Sequence, residues 1–134
     1  MIVADSSALI EYYRRGGSPA VQEAVAAAIT GDALAFNGII FVEVVGFAAD
    51  EQERRALLAS FGAFHRLALE DGDFDLAATI GFDLRRRGRT VPATDLIIAA
   101  CAIRARAELL HVDDHFEDIA RVSALVSRNP SRPA

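Results

Sequence analysis

The sequence predicts an α/β fold, a three-layer α/β/α sandwich around a mostly parallel central sheet of about five strands. Short apolar runs of strand length alternate with helical stretches along the whole chain. The first run, Ile2-Val3-Ala4-Asp5, is continuously apolar up to its carboxylate, as in a strand buried on both faces of a parallel sheet. Cap and turn residues punctuate most of the junctions.

The elements follow in order. After the strand Ile2 to Asp5, Ser6 or Ser7 is the expected cap of a helix from Ala8 to Arg15, because a serine oxygen accepts from an orphan amide. Gly16-Gly17-Ser18-Pro19 is a turn, with Pro19 suited to a first helical position. A helix from Ala20 to Ile29 ends at Thr30-Gly31-Asp32, and Ala33 to Phe36 is the second strand. Asn37 is placed to cap a helix from Gly38 to Ala49, and a charged helix from Glu51 to Phe64 follows Asp50. His65 to Leu69 reads as a third strand, and Glu70-Asp71-Gly72-Asp73 as a turn with helix-start chemistry. Leu76, Ala77, Ile80, Gly81 and Leu84 form the apolar stripe of a helix from Phe74 to Arg87, which Gly88 ends. Pro92-Ala93-Thr94 leads into an apolar helix from Asp95 to Arg106, with Thr94 a candidate cap. Leu109 to Val112 is the fourth strand, Phe116 to Arg121 a short helix, and Val122 to Val126 the fifth strand. Residues 1–127 are expected to form one domain and 128–134 a flexible, proline-containing tail.

The 134 residues suffice for a single domain with a proper core. The hydrophobic fraction of 52% is high for so small a domain and points to an extra buried surface, such as a partner or self-association face. No run has the ~20 uncharged apolar residues of a membrane span, and the strand-like start is unlike a secretory leader. Cys101 is the only cysteine, which excludes an internal disulfide and suits a reducing cytoplasm. It sits in an apolar run, where a small buried core residue is expected. The net charge of −5 is unusual for a nucleic-acid binder. Four of those charges, however, belong to the candidate site described next, and a bound cation would offset them. All 14 basic residues are arginine, the side chain that pairs phosphate in a bidentate way.

Four carboxylates stand where a solvated surface charge would not be placed. Glu43 is the lone charge in Ile39-Ile40-Phe41-Val42-Glu43-Val44-Val45-Gly46-Phe47. A bare carboxylate buried there costs several kcal/mol unless a cation or donors compensate; the alternative is that it faces solvent. Asp5 closes the first strand, Asp95 opens an apolar helix, and Asp113 follows the fourth strand. Each also has a plain structural role: Asp5 and Asp113 as turn or capping residues, Asp95 as a partner of the helix dipole. Ligands in parallel α/β sheets bind beyond the carboxyl ends of the strands, where strand order reverses. If the first and fourth strands are neighbours there, Asp5 and Asp113 face one another. Oxygen-only ligands suit Mg²⁺ or Mn²⁺ rather than zinc, and the three histidines and one cysteine lack zinc-site spacing. His111 reads as a strand residue, while His115 lies nearer the candidate site and its role stays open. Arg85, Arg86, Arg87 and Arg89 form the densest basic patch, either a solvated helix end or a phosphate-contacting rim.

Four pieces of sequence now stand in order: Ile2-Val3-Ala4-Asp5-Ser6-Ser7-Ala8-Leu9-Ile10, the helix bearing Glu43, Pro92-Ala93-Thr94-Asp95-Leu96-Ile97-Ile98-Ala99-Ala100, and Leu109-Leu110-His111-Val112-Asp113-Asp114-His115-Phe116. Together they resemble the PIN-domain ribonucleases, specifically the small toxins of VapC type from bacterial toxin–antitoxin pairs. The resemblance runs from residue 1 to about 127. By position, Asp5, Glu43, Asp95 and Asp113 match the family's acidic quartet, and Ser6 the small hydroxyl residue after its first Asp. Two departures stand out: many members have Thr or Ser where this chain has His111, and a further Asp where it has His115.

The resemblance implies a Mg²⁺- or Mn²⁺-dependent endoribonuclease, the toxin of a type II pair, cutting single-stranded or looped RNA to leave a 5′-phosphate. Asp5 and Asp113 are the expected metal ligands. Asp95 and Glu43 would bind directly or through water, and either is placed to take a proton from the nucleophile. Ser6, Thr94, Arg85, Arg86 and His115 are candidates for substrate or supporting contacts. The resemblance also implies a homodimer, and a cognate antitoxin that lays a helix or extended segment in a groove and points a basic side chain into the acidic pocket. Phe41, Phe47, Tyr12 and Tyr13 are compatible with such a groove or with the core.

Other readings stay open. A PIN nuclease of RNA processing has the same chemistry, and an inactive PIN domain would only bind. A response-regulator-like module would want a late lysine, and the chain has no lysine. A phosphatase of the haloacid dehalogenase type would want Asp two residues after Asp5, where Ser7 stands.

Overall fold

The computed structural model describes residues 1–133; Ala134, the last residue of the expected tail, lies outside the described residues. The chain opens with strand β1 (Ile2–Ala4), then helices α1 (Ser6–Tyr13) and α2 (Pro19–Thr30), strand β2 (Leu34–Phe36), helices α3 (Gly38–Val45) and α4 (Glu51–Gly62), and strand β3 (His65–Arg66). Helices α5 (Asp71–Arg86) and α6 (Ala93–Arg104), strand β4 (Glu108–Leu110), helix α7 (Asp114–Arg121) and strand β5 (Ser127–Arg128) complete it.

The five described strands form one sheet in the order β3-β2-β1-β4-β5, with every neighbouring pair parallel. The expected α/β sandwich is therefore present, with a wholly parallel sheet. β1 is central: Ile2 pairs with Leu34 on one side and Glu108 on the other. The chain steps from β1 outward through β2 to β3, then returns to the far side of β1 for β4 and β5. Strand order thus reverses between β1 and β4, and the carboxyl ends of these two strands carry Asp5 and the Asp113 loop. Val3, Ala4, Leu109 and Leu110 are fully buried, as strands covered on both faces require.

Helix packing separates α1–α4 from α5–α7, with α3 and α6 also in contact. α6 is buried nearly all round, including Ile98, Ala99, Ala100, Cys101 and Ala102. The thiol is free and buried, as its apolar run implies. A Cβ at Gly81 would lie 2.8 Å from Leu96 Cδ1, so the close approach of α5 to α6 uses the missing side chain.

Several boundaries differ from the sequence expectation for identifiable reasons. α1 begins at Ser6, not Ala8, because Asp5 itself is the N-cap and accepts from the Ser7 amide. Ser18 caps α2 with Pro19 in its first turn, and Asn37 and Asp50 cap α3 and α4. α3 stops at Val45, four residues short of Ala49. The helix-start chemistry of Glu70–Asp73 is realised as a capping box between Glu70 and Asp73, which starts α5 at Asp71, three residues before the expected Phe74. Thr94 does not cap α6; the cap position is Pro92, with no side-chain hydrogen bond, and Thr94 lies exposed inside the first turn. His111 lies just beyond β4 rather than in it. β5 is Ser127–Arg128, not Val122–Val126, so the expected domain boundary at 127 falls inside a strand. Past it, Arg132 pairs with Asp114 at 2.6 Å.

Arg104 fastens α6 to the start of α5. Its Nε donates to Asp73 Oδ1 at 2.7 Å, one Nη donates to the Ala68 carbonyl at 2.7 Å, and the other pairs with Glu70. Asp73 is 1% exposed. Arg104→Ala leaves that carboxylate buried without its cation and should destabilise the fold by about 3 kcal/mol in denaturant unfolding. A loss near zero would show that solvent reaches Asp73.

Candidate metal centre

The site is built at the carboxyl edge of the sheet, around the β1–β4 boundary. Asp5 is 3% exposed. Its Oδ2 accepts from the Ser7 amide at 3.0 Å and the Ser7 hydroxyl at 2.6 Å. Ser7 Oγ in turn accepts from the Val112 amide at 3.1 Å, so one serine ties the end of β1 to the loop after β4. Asp5 Oδ1 is buried with no hydrogen-bond partner.

Glu43 reaches the site from α3, where it is half-buried and accepts from the Ser6 hydroxyl at 3.0 Å. Asp95 reaches it from the first turn of α6. His115, from the first turn of α7, places Nδ1 2.9 Å from Asp95 Oδ2 and 3.3 Å from Asp113 Oδ1. Asp113 caps α7 by accepting from the His115 amide at 3.0 Å. His111 is fully buried below, and its Nδ1 accepts from the Asp113 amide at 3.1 Å. That acceptor role leaves the proton on Nε2, which lies 3.1 Å from Glu117 Oε1 but without hydrogen-bond geometry.

The electrostatics follow from this crowding. Burial pushes the Asp5 carboxyl up to about 6; the Ser7 hydrogen bonds oppose the rise, and the charges of Asp95 and Glu43 add to it. Burial also raises Glu43, with Asp95 contributing, against the pull of the Ser6 hydroxyl. Asp95 is raised by burial and by Asp113, and burial outweighs the lowering effect of His115. The His115 imidazole is raised, chiefly by its hydrogen bond to Asp95. Burial holds His111 below the usual imidazole range and keeps it neutral.

The structure thus gathers all four sequence-predicted carboxylates, and with them Ser6 and His115. Ligand atoms of Asp95, Asp113 and His115 all lie within 4.8 Å of one another. A divalent cation fits this set: the oxygens are anionic and mutually repelling, and Asp5 Oδ1 lacks any donor. Arg85 and Arg86 lie exposed at the end of α5, in no ion pair among the described residues, and Thr94 makes no hydrogen bond there with its side chain. Ser7 is the contact that sequence reasoning assigned only to a helix cap. Its signal was available, since a hydroxyl two residues after an Asp is placed to bond that carboxylate.

A family profile described as PIN domain matches residues 2–122. The chain belongs to the PIN domain family. It is 36% identical over 129 residues to VapC ribonuclease Mb1587 of Mycobacterium bovis, and equally to ribonuclease VapC11 of Mycobacterium tuberculosis; each match covers 93% of this chain and 96% of the relative. Among solved structures, FitAcB from Neisseria gonorrhoeae superposes with a TM-score of 0.79 at 20% identity, covering 97% of this chain and 98% of that one. VapBC-1 from nontypeable Haemophilus influenzae gives 0.79 at 20% identity, covering 98% and 100%. The PIN domain therefore accounts for the fold, and its elements carry the acidic cluster from both helical layers and the sheet.

A raised carboxyl value has a definite sign. At pH above about 6 the folded protein must ionise Asp5 in place, at a cost the unfolded chain avoids; below the ordinary value of 3.8 both states hold the proton. Asp5→Asn keeps a cap that accepts from the Ser7 amide and removes the charge. In chelator-treated protein at neutral pH it should be more stable than the parent by about 3 kcal/mol. The gap should close as pH falls through 6 toward 3.8 in parallel unfolding titrations. A gap independent of pH would show that folding does not raise the Asp5 carboxyl above its ordinary value.

Proposed function

We propose that this protein is a Mg²⁺- or Mn²⁺-dependent endoribonuclease that cuts single-stranded or looped RNA, and the toxin of a type II toxin–antitoxin pair. The observation that carries the reading is the convergence of Asp5, Glu43, Asp95 and Asp113 at the strand-order reversal, with Asp5 Oδ1 buried and lacking a donor. The names of the mycobacterial relatives support ribonuclease chemistry, and the VapBC structures support a toxin–antitoxin setting.

Asp5, Asp95 and Asp113 would hold the cation, with Glu43 joining directly or through water. Such an ion lowers the pKa of a water and polarises the scissile phosphate. The chain's own groups do the rest. Ser7 fixes the Asp5 carboxylate so that Oδ1 points away from its hydrogen-bonded partner. Ser6 orients Glu43, whose raised pKa suits it to accept a proton from the attacking water. An unstacked RNA backbone enters such a cleft more readily than a duplex, and Arg85 and Arg86, exposed at the end of α5, would contact its phosphates.

A partner surface lies beside the site. A groove of about 350 Å³ between α1, α3 and α4 is lined by Ile10, Tyr13, Val44, Phe47 and Leu57, with Glu43 on its wall. Phe47 is 82% exposed. An antitoxin segment lying there would bring a basic side chain to Glu43. The protein would act in the cytoplasm as a homodimer, consistent with its free cysteine; among the described residues no helix is long and apolar enough to cross a membrane.

Asp95→Asn should lower Mn²⁺-dependent cleavage of a structured RNA pool by about 100-fold or more, with the fold retained by circular dichroism. Undiminished cleavage would end the nuclease mechanism. For the groove, Phe47→Asp should abolish copurification with the product of an adjacent small open reading frame when the two are coexpressed. Undisturbed copurification would place the partner elsewhere.

A further inference from the structure

We infer that His115 is a metal ligand through Nδ1, and that the mixed nitrogen–oxygen set it completes makes this protein prefer Mn²⁺ to Mg²⁺. The inference rests on the metal-site reading above and specifies which ion the site selects.

Three observations carry it. His115 Nδ1 lies 2.9 Å from Asp95 Oδ2 and 3.3 Å from Asp113 Oδ1, and the three ligand atoms lie within 4.8 Å of one another. Next to them Asp5, 3% exposed, keeps Oδ1 without a donor and carries a carboxyl raised in part by the charge of Asp95. The place is therefore short of positive charge even with His115 present. Finally, no arginine among the described residues pairs with Asp5, Glu43, Asp95 or Asp113, so among the described residues the imidazole is the one basic side chain in an ion-pair contact with the cluster. His111 cannot share this role: it is fully buried, and its Nδ1 already accepts from the Asp113 amide.

The backbone presents the ring. Asp113 caps α7 by accepting from the His115 amide, so the helix that begins there holds His115 and Asp113 on one side. The ring is partly exposed and can adjust by a small rotation as a cation replaces the hydrogen bond to Asp95. Mg²⁺ demands oxygen ligands in near-ideal octahedral geometry and keeps several waters. Later divalent ions accept imidazole readily, and affinity for nitrogen-containing sites rises from Mn²⁺ onward. An imidazole at this position therefore moves the selectivity away from Mg²⁺.

The competing role gives the opposite sign. If His115 serves only as an internal counter-ion to Asp95 and Asp113, an incoming cation must displace it, and its removal would tighten metal binding. The test is calorimetric titration of Mn²⁺ and Mg²⁺ into the full chain, His115→Ala and His115→Asp at mildly alkaline pH, with pulsed electron paramagnetic resonance of the Mn²⁺-loaded proteins. Mn²⁺ binding should weaken by about tenfold or more in His115→Ala. The Mn²⁺-to-Mg²⁺ affinity ratio should fall in His115→Asp. The parent should show nitrogen hyperfine coupling that is absent from both variants, and its spectrum is informative even if a variant fails to fold. Bound Mn²⁺ without nitrogen coupling in the parent, or tighter binding by His115→Ala, overturns the inference and leaves the metal site standing. No Mn²⁺ binding by any of the three removes the metal site itself.

Discussion

A carboxylate taken out of water at the end of the central strand governs this molecule. Asp5 is almost fully buried, yet the chain supplies donors to only one of its oxygens. Leaving a buried acceptor unmet costs about 1–3 kcal/mol, more for a charged one, and the folded protein retains that cost. It does so at the one edge where strand order reverses, the place a parallel sheet reserves for ligands. The wholly parallel topology puts Asp5 and the Asp113 loop side by side, and the two helical layers bring in Glu43 and Asp95.

Each carboxylate is held by a hydrogen bond of its own. Ser7 fixes Asp5, Ser6 fixes Glu43, His115 meets Asp95, and the first turn of α7 fixes Asp113. These are one hydrogen bond each, two at Asp5, and each is modest in net energy. Their aggregate effect is positional: they hold four mutually repelling groups within reach of one another. His111 works one layer below, holding the amide of Asp113 while remaining neutral. At this position a buried ring nitrogen does the task.

Much of this was legible in the sequence because burial leaves a simple mark. A continuous apolar run ending in Asp5 reads as a central strand, and a lone Glu43 in an apolar helix reads as a charge with a purpose. Turn and cap chemistry located α2, α3 and α4 closely. The failures share a cause, since one residue can serve two roles. Asp5 both caps α1 and faces the site, so the helix starts earlier than a serine cap implies. Glu70 and Asp73 resemble a turn until their reciprocal bonds are seen to begin α5. The run Val122 to Val126 has strand composition, but Leu125 packs into the core as Val126 turns outward, and pairing with β4 falls to Ser127 and Arg128. The engagement of His115 with Asp95 joins elements 20 residues apart and has no local signature.

The hydrogen bond from the Val112 amide to Ser7 spans 105 residues, nearly the length of the chain. It closes a cluster whose members come from the first and last thirds of the sequence. During translation, a nascent chain that has not yet delivered β4 to the side of β1 holds Asp5 and Glu43 but lacks the Asp113 loop. Non-local pairing of this kind forms late, because loop closure precedes its reward. The acidic cluster is therefore not assembled until β4 has been made and paired with β1.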